Sequence, residues 1–189
     1  MLLQFFLVSL TLFLPDICLS QTIDLTPITI KKALSAYVAK DTNIQQNPYF
    51  QKQLVLAEKY QKPVVIHCVA AFHEVIEIKK KLNISVPMII HGFSKNEQVA
   101  KSLLDNGFYL SFGKYLLRSR PETSGFGTEL KDVFLNIPND RFFLETDTIE
   151  ESIEEVYALA AKYKNIEIEE LQKQIMSNYK DVFKVFERE

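Results

Sequence analysis

The sequence predicts an α/β fold built on a parallel β-sheet. Short β-branched or aromatic runs alternate along the chain with segments whose apolar residues recur at helical spacing, and this alternation is typical of βαβ units. Four runs are predicted to be strands: 63–68, 87–92, 108–113 and 141–147. The length of 189 residues, with 47% hydrophobic and 24% charged residues, is ordinary for one folded domain.

The helices are predicted from apolar residues spaced three and four positions apart, which share one helix face. Asn106 and Gly107 are a helix-ending pair, and Pro138 marks a break before the last strand. Residues 114–127, which contain Arg118 and Arg120, are predicted to be irregular. The six predicted helices lie near residues 50–61, 71–82, 99–104, 128–135, 153–163 and 168–182.

Composition excludes several classes of function. A net charge of −2 argues against broad, sequence-independent coating of nucleic acid, which needs a large positive field. It leaves a local phosphate or metal site open. Cys18 and Cys68 cannot form a disulfide framework, and the chain has too few cysteines and histidines close together for a structural zinc site. With five glycines, no segment has the composition of a Gly-rich phosphate loop.

The first 44 residues differ from the rest and are treated as a separate segment from the domain at 45–189. Residues 1–20 begin with an apolar run from Met1 to Pro15, which is shorter than the ~20 residues of a membrane-spanning helix. No stable membrane span is therefore predicted. Two interpretations stay open: a signal peptide ending near Ser20, and a mis-started or rearranged N-terminus. The first lacks the expected positive charge, because residues 2–15 contain no Lys or Arg.

Three side chains that bind metals follow the strands at equivalent positions. His67 ends the first strand, His91 the second and Asp147 the fourth. Functional groups of parallel sheets lie at the carboxyl ends of the strands, so these three are expected to meet at one rim. Imidazole nitrogen and carboxylate oxygen suit zinc, manganese or magnesium. Glu145 is predicted to lie on the same strand face as Asp147. There it is either the hydrogen-bond partner of a metal ligand or a member of a buried ion pair.

Other reactive side chains are predicted to have ordinary roles. A lone His at a strand end is more often structural, but two histidines joined by Asp147 favour a site. His73 is expected on a helix surface, and Cys68 is expected to pack in the core because it points away from its neighbour. Arg118 is either solvated or in contact with phosphate. Ser94 and Ser111 lie in no nucleophile-elbow sequence, which disfavours a Ser-His-Asp hydrolase.

Four ordered motifs carry a family resemblance. PVVIHC, PMIIHGFS, GFYLSFG and IPNDRFFLETD resemble the TatD family of metal-dependent deoxyribonucleases, over roughly residues 45–185. The resemblance implies a (β/α)8 TIM barrel and divalent-metal-dependent hydrolysis of phosphodiesters, typically in DNA, inside the cell. It also implies that His67 and His91 are metal ligands, and that Asp147 binds the metal and orients or deprotonates the attacking water.

The sequence departs from the family upstream of residue 45. The family has a His-x-His motif on its first strand and a Glu in a GE-x-GLD motif, but no His precedes His67 and no Glu precedes Glu58. The TIM-barrel-like fold is therefore predicted to be incomplete at the N-terminus. One hypothesis is that residues 33–40 replace the GE-x-GLD strand through a reading-frame shift. The alternative function is a catalytically inactive remnant or metal-binding module.

Two further expectations concern partners and compartment. An incomplete barrel leaves a sheet edge open to other chains, so self-association is expected beside binding of DNA or another phosphoester substrate. The cytoplasm is expected as the compartment. If residues 1–20 are a signal peptide, the alternative is a secreted or periplasmic protein.

Overall fold

A computed structural model describes residues 48–119, 128–146 and 151–183. Four parallel strands and the predicted helices are present in these ranges, so the predicted α/β class is confirmed. The 1–44 segment, with its apolar run, lies outside the described residues. The elements are α1 (Pro48–Lys59), β1 (Val64–His67), α2 (Phe72–Lys81), β2 (Met88–His91), α3 (Glu97–Asp105), β3 (Phe108–Phe112), α4 (Lys114–Leu117), α5 (Thr128–Asn136), a 3₁₀ turn (Asn139–Arg141), β4 (Phe142–Leu144), α6 (Ile153–Lys164) and α7 (Ile168–Phe183).

The four strands lie side by side in the order in which they occur in the chain. β1 pairs with β2, β2 with β3 and β3 with β4, and every pair is parallel. The chain returns through at least one helix between successive strands, as parallel pairing requires. All four carboxyl ends therefore lie at one edge of the sheet, hereafter called the rim.

The two faces of the sheet have different environments. The first face packs against the helices and is fully apolar, and its strand residues are Val64, Ile66, Met88, Ile90, Phe108, Leu110, Phe112, Phe142 and Leu144. The opposite face carries the remaining strand residues, among them the two strand-end histidines and Ser111. Among the strand residues, the polar side chains of His67, His91 and Ser111 thus lie on this opposite face.

Aromatic packing fixes β4 and α5 against β3. Phe112, Phe134 and Phe142 are all buried. Their rings meet edge to face, with Phe134 5.0 Å from each of the other two ring centroids, a geometry that is favourable beyond area burial. The ammonium of Lys164 lies 4.9 Å from the Phe134 centroid and donates to the Leu135 carbonyl oxygen at 3.1 Å. These contacts hold the carboxyl end of α5 against β3, β4 and the end of α6.

Two predicted boundaries were wrong in part. Residues 114–127 were expected to be irregular, but Lys114–Leu117 form the short helix α4, because Leu116 and Leu117 are buried in the core. The last strand was expected to run to residue 147, but it ends at Leu144. The amide of Glu145 still donates to the Phe112 carbonyl oxygen at 2.9 Å, so the chain follows β3 for one residue more.

The closing helix α7 is anchored to the start of β4 by one amide. Asn178 is buried, and its Nδ2 donates to the carbonyl oxygens of Asn139 at 2.8 Å and Phe142 at 2.9 Å. Both donors of that amide nitrogen are therefore satisfied inside the protein. Within the described ranges, no helix combines the length and the apolar character needed to cross a membrane.

Candidate metal centre

Two histidines lie next to each other at the rim. His67 and His91 are the last residues of β1 and β2, and they are direct partners in the parallel register. Their ring centroids are 5.6 Å apart and the ring planes are inclined by 44°. His67 is exposed, whereas His91 is only 8% exposed. The pair thus has one solvent-facing and one enclosed imidazole.

Glu145 holds the enclosed imidazole. Its Oε2 lies 2.7 Å from Nδ1 of His91, and the Glu145 side chain is buried. A carboxylate only accepts hydrogen bonds, so the shared proton lies on Nδ1. In the neutral ring the lone pair is then on Nε2, which is also buried. A carboxylate on the far ring nitrogen is the arrangement that orients most metal-binding histidines.

Ser111 supports the same carboxylate and was not predicted to do so. Its hydroxyl donates to Oε2 of Glu145, the oxygen that also accepts from His91. Ser111 is 4% exposed, so this contact is shielded from water. The sequence contained one signal for this role. Phe108, Leu110 and Phe112 alternate as core residues, which places Ser111 on the opposite face.

Two glycines allow the backbone to approach Glu145. A Cβ atom on Gly113 would lie 2.9 Å from Cγ of Glu145, closer than real Cβ atoms come, and would also meet the Glu145 carbonyl oxygen. Gly92 follows His91 directly and has φ +63°, a left-handed conformation in which glycine is favoured. The ends of β2 and β3 therefore close around the carboxylate because both carry glycine there.

The third predicted ligand, Asp147, lies outside the described residues. Across the ranges that the structure covers, no group of three or more His, Cys, Asp or Glu side chains could hold a metal ion. The described centre is thus a pair of imidazoles with an orienting carboxylate. The assignment of Asp147 as a ligand and catalytic residue stays a prediction.

The remaining candidates have separate places. His73 is exposed in the first turn of α2, six residues after His67, as predicted. Cys68 packs against the core, and burial raises the pKa of its thiol to about 11. Burial thus favours the uncharged thiol, in agreement with the predicted core-packing role. Arg118 is exposed directly after α4, with its guanidinium 5.9 Å from the Tyr115 ring centroid.

Known proteins match most of this chain. The family model described as "TatD related DNase" matches residues 34–184. A metal-dependent hydrolase of Bacillus subtilis, YabD, described as uncharacterized, is 35% identical over 103 residues, which cover 54% of this chain and 38% of that protein. A protein of Salmonella typhimurium named 3'-5' ssDNA/RNA exonuclease TatD is 28% identical over 104 residues, with the same 54% and 38% coverage.

Solved structures agree in fold. The TatD homologue YJJV of Escherichia coli K12 superposes with a TM-score of 0.59 at 21% identity, and a TatD family hydrolase of Entamoeba histolytica with 0.58 at 17% identity. Each match covers 71% of this chain and 55% of the other. The architecture is therefore TIM-barrel-like, as predicted. This chain spans about two fifths of the length of the curated relatives it matches.

Proposed function

The chain belongs to the family of TatD-related DNases, and on that premise we propose that it is a divalent-metal-dependent hydrolase of nucleic-acid phosphodiesters. The observation that carries the proposal is the pairing of His67 with a His91 that Glu145 orients. The nucleic-acid substrate rests on relatives named 3'-5' ssDNA/RNA exonuclease. Other relatives are named only as uncharacterized metal-dependent hydrolases.

The donor atoms at the rim fit a divalent metal. Two imidazoles in register supply nitrogen ligands suited to zinc or manganese, and a carboxylate oxygen extends the set to magnesium. Under this proposal His67, His91 and Asp147 would hold the ion. When bound, such an ion acts as a Lewis acid on a phosphoryl oxygen.

Three side chains of the protein would have separate roles in the reaction. Glu145 keeps the proton of His91 on Nδ1 and thereby keeps Nε2 available as a lone-pair donor. His67 is exposed, so a substrate can reach the open side of the pair. Asp147 is proposed to orient or deprotonate the attacking water, because in the sequence it comes three residues after Leu144, the last residue of β4.

A second candidate is a metal-binding module that does not hydrolyse its ligand. The sequence contains three histidines in total, and His73 is exposed on α2. The family's His-x-His and GE-x-GLD ligands have no counterpart before residue 67. A centre with fewer protein ligands binds a second metal ion poorly. Without that ion, no pair of metals stabilises the attacking and leaving oxygens together. Such a centre binds metal but cleaves slowly.

Metal content tests the pair itself. We expect the full chain, loaded with zinc or manganese and then desalted, to retain metal by elemental analysis. His67→Ala and His91→Ala should lose it, whereas His73→Ala is the matched control because that imidazole is exposed on α2. Equal metal in all four proteins would contradict a centre at the rim.

Cleavage separates the two candidate functions. A 5'-labelled single-stranded DNA is incubated with the full chain and Mn²⁺ or Mg²⁺, beside Asp147→Asn. Shortened products that require both the metal and Asp147 support the hydrolase. Retained metal with no cleavage above the Asp147→Asn level supports the binding module instead.

The compartment can be tested at the N-terminus. The proposal places the chain in the cytoplasm, because residues 2–15 carry no positive charge for export. Mass spectrometry of the protein purified from its native host should then recover peptides from residues 1–20. A mature chain that begins near residue 21 would contradict this and support secretion.

A further inference from the structure

The rim segments that follow β1, β2 and β3 are richer in positive charge than the chain as a whole, whereas the segment after β4 begins with the buried Glu145. The described segments 68–71, 92–96 and 113–119, which follow β1, β2 and β3, contain three cationic side chains and no Asp or Glu. The cations are Lys95, Lys114 and Arg118. The whole chain carries a net charge of −2, so these segments run against the average. A local positive field favours an anionic ligand at this edge.

One of these segments also presents an aromatic ring to solvent. Tyr115 is 45% exposed, although Leu116 and Leu117 beside it are buried. The guanidinium of Arg118 lies 5.9 Å from the Tyr115 ring centroid, one helical turn further on. Burial of the leucines fixes α4 in place, so the exposed ring is held on a rigid support.

This ring follows a backbone segment that contacts the carboxylate of the histidine centre. Tyr115 is two residues beyond Gly113, whose backbone lies against Glu145, and Glu145 contacts His91. These two contacts link the segment that carries Tyr115 to the enclosed imidazole. The same segment therefore brings one aromatic ring and two cations, Lys114 and Arg118, to the side of the centre that β3 supplies.

We propose that Tyr115 is a stacking platform for a base of a single-stranded nucleic acid, with Lys114 and Arg118 contacting the adjacent phosphates. This inference rests on the proposed function, because it concerns the substrate of the same rim. An exposed aromatic flanked by cations is the combination by which proteins hold single strands without reading sequence. A duplex keeps its bases stacked on one another, so it offers the ring no free base face.

The chain supplies a matched control at the other end of the sheet. Tyr60 is 39% exposed, and the Lys59 ammonium lies 5.3 Å from its ring centroid. It therefore has the same exposed ring and nearby cation as Tyr115. However, it precedes β1 and lies at the amino ends of the strands. A general affinity of nucleic acid for exposed tyrosines would act on both residues.

The test uses the absence of tryptophan from the sequence. Tyr115→Trp and Tyr60→Trp each introduce a single fluorophore into the full chain. Both are titrated with oligothymidylate in EDTA, so that binding is measured without cleavage. We expect saturable quenching for Tyr115→Trp and little for Tyr60→Trp. An abasic oligonucleotide and a duplex should quench Tyr115→Trp weakly. Equal quenching in both variants, or equal quenching by all three ligands, would overturn the proposal.

Affinity provides the second arm. By fluorescence anisotropy with labelled oligothymidylate or oligouridylate, Tyr115→Ala should raise the Kd about 10-fold. Tyr115→Phe and Tyr60→Ala should both keep the Kd of the unmodified chain. An unchanged Kd for Tyr115→Ala would contradict the platform. Metal-dependent cleavage without any effect at Tyr115 leaves the hydrolase proposal standing, and stacking without cleavage removes the hydrolase proposal alone.

Discussion

Replacing the buried carboxylate of Glu145 should separate metal binding from folding stability. The change is Glu145→Gln, compared with Glu145→Ala. In the folded chain Oε2 accepts from Nδ1 of His91 at 2.7 Å and from the hydroxyl of Ser111. Glutamine keeps a carbonyl oxygen of the same reach and loses the negative charge. Alanine removes the acceptor.

The expected magnitudes follow from what each variant leaves buried. Alanine leaves the His91 and Ser111 donors without their acceptor, at about 1–3 kcal/mol each. The free energy of unfolding should therefore fall by about 2–6 kcal/mol. Glutamine still accepts both hydrogen bonds, and it removes a buried charge whose desolvation opposes folding. The free energy of unfolding should therefore change by less than about 1.5 kcal/mol. Zinc affinity should fall about 10- to 100-fold in both variants. In glutamine a neutral partner makes Nε2 less basic, and in alanine the His91 ring also loses the partner that orients it.

Urea unfolding and zinc titration calorimetry on the three proteins measure the two effects. The refuting result for the orienting role is a Glu145→Gln variant with the affinity of the unmodified chain. A Glu145→Ala variant that unfolds at the same urea concentration as the unmodified chain would show that the two buried hydrogen bonds contribute nothing.

Three further predictions concern other parts of the fold. Gly113→Ala should destabilise the chain by about 2–4 kcal/mol because the added methyl meets Glu145. Gly107→Ala, with φ +74° and nothing within 4 Å, should cost about 1–2 kcal/mol from backbone strain alone, and equal urea midpoints would contradict this ranking. Burial lowers the pKa of Lys164 to about 8 from 10.5. The unfolded state therefore binds more protons between those values, and stability should rise with pH across that window. Lys164→Met should lack this rise relative to the unmodified chain. Self-association through the β1 edge should give a light-scattering mass that increases with concentration, and a constant monomer mass would contradict it.

The strand-end histidines show what the sequence could supply. PVVIHC and PMIIHG are similar runs that each end on His, and parallel strands in one register bring equivalent positions together. The adjacency of His67 and His91 was therefore predictable. The end of the last strand was predicted too late, because pairing with β3 stops at Leu144, where the apolar residues of FFLETD also end.

Contacts between segments that are distant in the sequence could not be predicted from it. Ser111 and Glu145 are 34 residues apart, and a serine in a strand has no sequence pattern that names its partner. The approach of Gly113 to Glu145 and the burial of the Lys164 ammonium under aromatic rings depend on packing in the same way. Periodicity predicts which face a residue is on, but not which atom it meets there.

The chain-order arrangement of the strands has a consequence for assembly. Each strand pairs with its successor, so most sheet contacts have low sequence separation and can form as synthesis proceeds from the N-terminus. The two imidazoles belong to neighbouring βα units and meet once the second unit docks. Glu145 emerges from the ribosome 54 residues after His91. The nascent chain therefore holds both nitrogen donors before their orienting carboxylate exists, and a metal captured early would meet an unoriented His91 ring.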